Sequence, residues 1–138
     1  MVVGPGIPKG RREKMAVYLQ DIMPTAIEYA GGEVPEWVEF NSLRPMIEGK
    51  QEDSSYPEIY GAYMDLQRMI RVDDYKLIVY PKAGVLKLFD LINDPSESHN
   101  LSGASAQQER IRTLFGQLQE LQLEMGDTLN LSNYKFNL

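Results

Sequence analysis

A chain of 138 residues without a single cysteine is one domain, or one domain and a piece of another, and it excludes disulfides, thiolate zinc sites and cysteine nucleophiles. The formal charge of −6 argues against a general nucleic-acid binder, which needs a basic face for phosphates, and an apolar fraction of 43% is too high for disorder. No apolar run is long enough to span a membrane, and Met1-Val2-Val3-Gly4-Pro5-Gly6 has neither the basic n-region nor the apolar h-region of a signal peptide.

Residues 1–12 read as the end of a short apolar strand entering a rigid loop, because two prolines and three glycines fall between Gly4 and Gly10. Two valines at the very start suggest an ordered element whose remainder lies upstream. The next element is a helix over Asp21 to Ala30. Asp21 is a good N-cap, and Pro24 falls in the first turn, where amides have no intrahelical partner. Ile22, Met23, Ala26, Ile27 and Ala30 share one face at helical spacing, and Gly31-Gly32 supplies a left-handed exit. Residues 33–57 read as irregular, with Trp37, Val38 and Phe40 as anchors and Gln51 to Ser55 as an exposed loop.

An antiparallel meander follows, with strands near Glu58–Tyr63, Gln67–Val72, Tyr75–Tyr80 and Val85–Leu91. Asp73-Asp74 makes a two-residue turn and Pro81-Lys82-Ala83-Gly84 a four-residue one. Ile70 and Val72 face one way and Met69 the other; Leu86 and Leu88 oppose Val85 and Phe89. A sheet with apolar side chains on both faces needs cover on both, and one helix covers only one. That helix is expected over 106–125, about 30 Å long. Ser105 and Gln108 form a capping-box pattern, and Ile111, Leu114, Phe115, Leu118, Leu121 and Met125 form one apolar stripe. The tail from Asp127 onward is polar and expected to fray.

Few residues suggest chemistry. The glycines of Gly4 to Gly10 lack the order of a phosphate loop, and their prolines remove amide donors. His99 is the only histidine, so it cannot build a His-rich metal site. Asp73-Asp74 and Asp90, Asn93 and Asp94 do not follow calcium-loop spacing and read as turn formers. Asn100-Leu101-Ser102 and Asn130-Leu131-Ser132 match the short glycosylation pattern, which often arises by chance. Arg68 and Arg71 fall on opposite faces of one strand, where a guanidinium fork suits a sulfate or a paired carboxylate. Tyr56, Tyr60 and Tyr63 approach the same end of the sheet. The loop Tyr63-Met64-Asp65-Leu66-Gln67 is therefore the best local candidate for substrate contact, with Tyr63, Asp65 and Arg68 as substrate-binding residues.

Four segments in order carry a resemblance. Arg71-Val72-Asp73-Asp74-Tyr75-Lys76-Leu77-Ile78, followed by Leu88-Phe89-Asp90-Leu91-Ile92-Asn93-Asp94-Pro95-Ser96-Glu97-Ser98-His99-Asn100-Leu101, resembles the sulfatase pattern R-x-x-x-Y-K-L-I … L-[FY]-D-L-x-x-D-P-x-E-x-x-N-L. Val2 to Gly10 is similar to that family's V-x-G-P-G-I-P-K-G strand and loop. Asp21 to Gly31 is similar to its D-I-x-P-T-L-L-x-x-A-G helix. Ser42 to Gly49 is similar to its S-L-x-P-x-L-x-G segment.

The resemblance to the sulfatases, of the alkaline phosphatase-like superfamily, implies the C-terminal region of a sulfuric ester hydrolase. Its fold would be α+β: a four-stranded antiparallel sheet packed by a long C-terminal helix, preceded by a strand-loop-helix remnant of an α/β domain. Residues 1–50 would be the edge of the catalytic domain and 51–138 the C-terminal subdomain. The partner would be an N-terminal catalytic domain carrying a formylglycine made from Cys/Ser-x-Pro-x-Arg and a divalent cation, calcium by the resemblance. Here the nearest string, Ser55-Tyr56-Pro57-Glu58-Ile59, ends in Ile where Arg is needed. No catalytic or metal-binding residue of the family can be placed on this chain. The implied parent acts on a sulfated carbohydrate or aryl substrate, with a periplasmic or secreted location. The chain alone is expected to be inactive and to expose apolar surface on the 22–30 helix and on one face of the sheet. The alternatives are the same part of a phosphoesterase or phosphonate hydrolase, or a non-catalytic binding module.

Overall fold

Proline at its third position helps to set the start of the first helix, α1 (Ile22–Tyr29), which continues a 3-10 turn at Leu19–Asp21. The computed structural model describes residues 1–136, which form two compact units, residues 1–57 and 58–136. In the first unit Asp21 does not cap α1. Its backbone is already helical (φ −61°, ψ −18°), whereas a capping residue is extended. The fully buried carboxylate turns back instead, accepting from the Tyr18 amide at 2.8 Å and the Tyr56 hydroxyl at 2.5 Å. Thr25 continues this brace: its hydroxyl donates to the Asp21 carbonyl and accepts from the Leu43 amide. Leu43 leads into a one-turn helix, α2 (Arg44–Ile47), where Met46 is buried. The Tyr18 ring packs edge-on against Phe40 and Tyr56.

Two further expectations for this unit change, and the expected exposure of the 22–30 helix is observed. Residues 1–12 contain turns and no strand, because a strand needs a neighbour for its amides and this unit offers none. Trp37 anchors nothing and is 75% exposed; Phe40 does that work. α1 buries Pro24 and Thr25, while Ile22 (55% exposed), Met23, Ala26 and Ala30 face outward and only Ile27 is half-buried. The apolar stripe is present and faces solvent, as expected of the 22–30 helix.

The second unit is a meander of β1 (Glu58–Tyr63), β2 (Gln67–Val72), β3 (Tyr75–Tyr80) and β4 (Val85–Asp90), antiparallel throughout in the order β1-β2-β3-β4. Tyr60 pairs with Ile70, Ile70 with Leu77, and Leu77 with Leu88, so one apolar row crosses the sheet. Asp73 turns the second hairpin with φ 49°, and Gly84 closes the 81–84 connection with φ 63°. The helix α3 (Gln108–Glu124) lies on the face of Ile70, Leu77, Val79, Leu86 and Leu88 and buries Ile111, Leu114, Phe115 and Leu118 against it. The other face carries Ile59, Met69 and Ile78, all half-buried, with Phe89 buried and Tyr63 and Val85 exposed. α3 therefore finishes one face only.

The ends of α3 differ from the sequence reading. A 3-10 turn at Ser105–Gln107 precedes it, and the Gln108 side-chain amide donates to the Ser102 carbonyl, so no capping box forms. Met125 falls outside the stripe and is exposed, whereas Gln122 is buried and donates to the Leu129 carbonyl. The described tail folds back: Leu131 is buried and Phe136 packs against Phe115.

Between β4 and α3 the chain is held by its polar side chains. Asp90 accepts from the amides of Ile92 and Asn93, and Asp94 accepts from the His99 amide. Tyr75 donates to Asp90, Lys76 pairs with Glu97 at 2.8 Å, and the Asn100 side-chain oxygen accepts the Leu88 amide at 3.0 Å while Leu101 donates to the Leu88 carbonyl. Asn100 thus closes the outer edge of β4 at a fully buried residue. Asn100→Ala leaves that amide unpaired and is expected to lower stability by about 1–3 kcal/mol. A urea titration followed by circular dichroism would show a lower midpoint at unchanged slope; an unchanged midpoint would contradict this role.

Candidate functional site

The hairpin between β1 and β2 is built around a left-handed residue. Tyr63 pairs with Gln67, the Leu66 amide donates to the Tyr63 carbonyl, and Met64 adopts φ 48°, uncommon for a residue with a side chain. Arg68 holds this shape from below. It is 5% exposed, and its Nη1 donates to the carbonyls of Met64 (2.6 Å) and Gln67 (2.7 Å). The other side of the fork grips Asp127, with Nε on Oδ2 and Nη2 on Oδ1 at 3.0 Å. Asp127 also accepts from the Tyr60 hydroxyl and the Leu129 amide.

This network sets its own electrostatics. The Arg68 guanidinium holds the Asp127 carboxyl far below the usual carboxylate range, and the bonds from Tyr60 and Leu129 add to that. The Asp127 carboxylate raises Arg68 in turn. Burial, then the hydrogen bond to Asp127, pushes the Tyr60 phenol well above its ordinary value. A bidentate pair is strong because both parallel N–H bonds are charge-assisted.

The three residues expected to meet substrate share this hairpin but not one surface. Tyr63 and Asp65 are exposed; Arg68 points inward with its fork engaged by Asp127 and two carbonyls. Lys82, from the connection to β4, reaches Asp65 at 2.6 Å; that hydrogen bond holds Asp65 below and Lys82 above their ordinary values. Tyr60 bonds inward to Asp127 and so does not join Tyr63 at the hairpin surface, and Tyr56 belongs to the first unit, where it bonds Asp21. Arg71 reaches the Asp73 carbonyl at its own hairpin. Asp127 and Lys82 were missed from sequence. Asp127 follows the helix-ending Gly126 and lies 59 positions from Arg68, and nothing local marks either residue as a partner.

The carboxylates of Asp90, Asp94 and Asp127 are already engaged and leave no room for a divalent cation. Those of Asp90 and Asp94 are filled by their own turn amides and side chains, and that of Asp127 by a guanidinium. Among the described residues no group of three or more His, Asp or Glu is placed to hold a metal ion. No helix among them is long and apolar enough to cross a membrane.

Residues 1–124 match the family model described as N-sulphoglucosamine sulphohydrolase, C-terminal. The chain belongs to the sulfatase family, as its C-terminal region. An arylsulfatase of Clostridium perfringens is 31% identical over 118 residues, covering 80% of this chain and 24% of that protein. An uncharacterised protein of Haemophilus influenzae is 34% identical over 113 residues, covering 79% of this chain and 56% of its own length. A sulfatase structure from Bacteroides thetaiotaomicron superposes with a TM-score of 0.75 at 25% identity, over 90% of this chain and 29% of that one. A structure in complex with its substrate D-glucosamine-2-N,6-O-disulfate gives a TM-score of 0.65 at 26% identity, over 78% of this chain and 24% of that one. This C-terminal region thus spans between about a fifth and just over half the length of its first curated relatives. A phosphonate monoester hydrolase from Silicibacter pomeroyi, 18% identical with a TM-score of 0.72, shares the fold. The α+β architecture expected of a sulfatase C-terminal region is the one observed.

Breaking the buried pair on one side should cost about 3–5 kcal/mol, because the remaining charge stays buried and unmatched. Arg68→Met and Asp127→Leu are each expected at that level, and the double variant well below their sum. Equal additivity in a double-mutant cycle by urea unfolding would count against the pair. The pH dependence has a defined sign. A carboxylate depressed on folding adds stability that is complete above the unfolded value of about 4 and is lost as pH falls through the lower folded value. Stability of the native protein should therefore fall with acid below about pH 4, and the Asp127→Leu variant should fall less steeply.

Proposed function

We propose that this chain works as the C-terminal part of a sulfatase, supporting a catalytic α/β domain and lining one side of its substrate pocket with the Tyr63–Gln67 hairpin. In this reading residues 1–50 are the edge of the catalytic domain and 51–138 the subdomain. The observation that carries it is the outward apolar row of α1, with Ile22, Met23 and Ala26 exposed beside Leu19, in a chain of sulfatase family. A row of that kind is a docking surface in want of cover.

The nucleophile and the cation, calcium by the family resemblance, would be supplied by the catalytic domain, since the Cys/Ser-x-Pro-x-Arg motif does not occur in these 138 residues. The substrate class is a sulfate ester on a carbohydrate or aryl group. A sugar is favoured by the structural relative bound to a disulfated glucosamine. Within this division Tyr63 and Asp65 face the substrate, and Arg68 acts from beneath by holding the Met64 and Gln67 carbonyls. The shared fold with phosphonate monoester hydrolases keeps one second reading open, in which the same support serves a different nucleophile. The nucleophile's identity separates the two.

Two measurements test the support role. The chain alone, assayed with an aryl sulfate and calcium, should release sulfate no faster than buffer. Calcium-dependent turnover that a chelator abolishes would overturn the proposal. The chain alone should also self-associate through α1, and Leu19→Lys with Ile22→Lys should lower its light scattering and dye binding. A monodisperse native chain with no bound dye would show that the row needs no partner.

A further inference from the structure

The Met64–Leu66 loop and the Pro81–Gly84 connection leave the same end of the sheet, because they close the first and third of three successive antiparallel hairpins. One side-chain contact joins them. Lys82 Nζ lies 2.6 Å from Asp65 Oδ2, with both side chains more than half exposed (54% and 56%). Neither loop needs this pair to keep its shape. The first is closed by the Leu66 amide on the Tyr63 carbonyl and held by Arg68; the second is closed by the Gly84 amide on the Pro81 carbonyl. The second is also backed by the tail, since a Cβ on Gly84 would come within 2.9 Å of the Lys135 carbonyl.

An ion pair this exposed adds little to stability. Its effect is local: it holds one ammonium in a fixed place, opposite a counter-ion that another anion can replace. Lysine is suited to that task as a compact point charge with three rotatable donors. Tyr63, at the base of the same loop and exposed, offers an aromatic face to the apolar side of a sugar ring.

We infer that Lys82 binds an anionic group of a sulfated sugar, with Asp65 as the internal counter-ion that this group displaces. The inference rests on the proposed reading of the Tyr63–Gln67 hairpin as substrate-facing, and adds to it the cation and the residue that competes for it. Displacement fixes opposite signs for the two charges. Without the Asp65 charge, Lys82 is free to take the ligand. Without the Lys82 charge, Asp65 remains to repel it.

The test is an NMR titration of the labelled full chain with D-glucosamine-2-N,6-O-disulfate, alongside inorganic sulfate and unsulfated glucosamine. Asp65→Asn should tighten binding about five-fold and Lys82→Gln should weaken it about five-fold, the ratio set by the strength of an exposed ion pair. Both controls should fail to saturate in the same range. Both side chains are exposed, and amide signals outside the two loops report whether each variant is folded. Sugar binding that shifts Tyr63 and Met64 but ignores both charge changes overturns the role of the pair and leaves the substrate-facing hairpin standing. Inorganic sulfate binding as tightly as the sugar overturns the assignment to a sugar. Absence of binding in all three proteins overturns this inference and the substrate-facing hairpin together.

Discussion

The guanidinium of Arg68 is where strand, hairpin and tail of the second unit are joined. A positive charge at 5% exposure is tolerated only when it is matched and hydrogen-bonded, so Asp127 has to be brought to it. Bringing Asp127 there fixes the chain after α3. Its carboxylate takes the Leu129 amide, Gln122 takes the Leu129 carbonyl, and Leu131 then drops into the core. The same fork fixes the hairpin, since its remaining donors hold the Met64 and Gln67 carbonyls and stabilise a left-handed residue. Closure of the core and shape of the Tyr63–Gln67 hairpin therefore rest on one interaction.

The family signature has a similar explanation. Its acidic residues read as turn formers, and its polar side chains have structural partners. Tyr75 donates to Asp90, Lys76 pairs with Glu97, Asp94 takes the His99 amide, and Asn100 takes the Leu88 amide. Together they form the return from the edge strand β4 to α3 and, with the Leu101 amide, satisfy that strand's outer backbone groups at Leu88. An open sheet edge invites pairing with other chains, and side-chain closure at Leu88 removes part of that hazard. The motif recognises a way of ending a sheet, which explains why it identifies the family in a region without the family's nucleophile.

How much was legible in the sequence depended on the range of the interaction. The four strands and their turns were readable because alternation and turn chemistry are local, and Asp73-Asp74 and Pro81 to Gly84 act within four residues. The stripe of α3 was readable through Leu118 for the same reason. The start of α3 was not, because Gln108 is satisfied by Ser102 across a turn that periodicity does not encode. The tail read as polar and loose because its anchors, Arg68 and Phe115, are distant in sequence. At the candidate site, exposure of Tyr63 and Asp65 followed from their place in a loop, but the inward turn of Arg68 followed from a carboxylate 59 positions away.

α1 shows a different limit. Its apolar stripe was placed correctly, and spacing said nothing about what the stripe would meet. Within the first unit the buried side belongs to Pro24 and Thr25, because the Asp21 carboxylate and the Thr25 hydroxyl draw in Tyr56 and Leu43. Hydrogen bonds to buried groups are directional and costly to leave unmade, whereas an apolar face can be left for a later partner. A polar brace thus orients the helix and leaves its hydrophobic side outward. In the proposed sulfatase that order suits a support: the brace forms within the unit's own residues, and the apolar row supplies the attraction for the catalytic domain. A stripe turned inward would have given a more self-sufficient unit with nothing to dock.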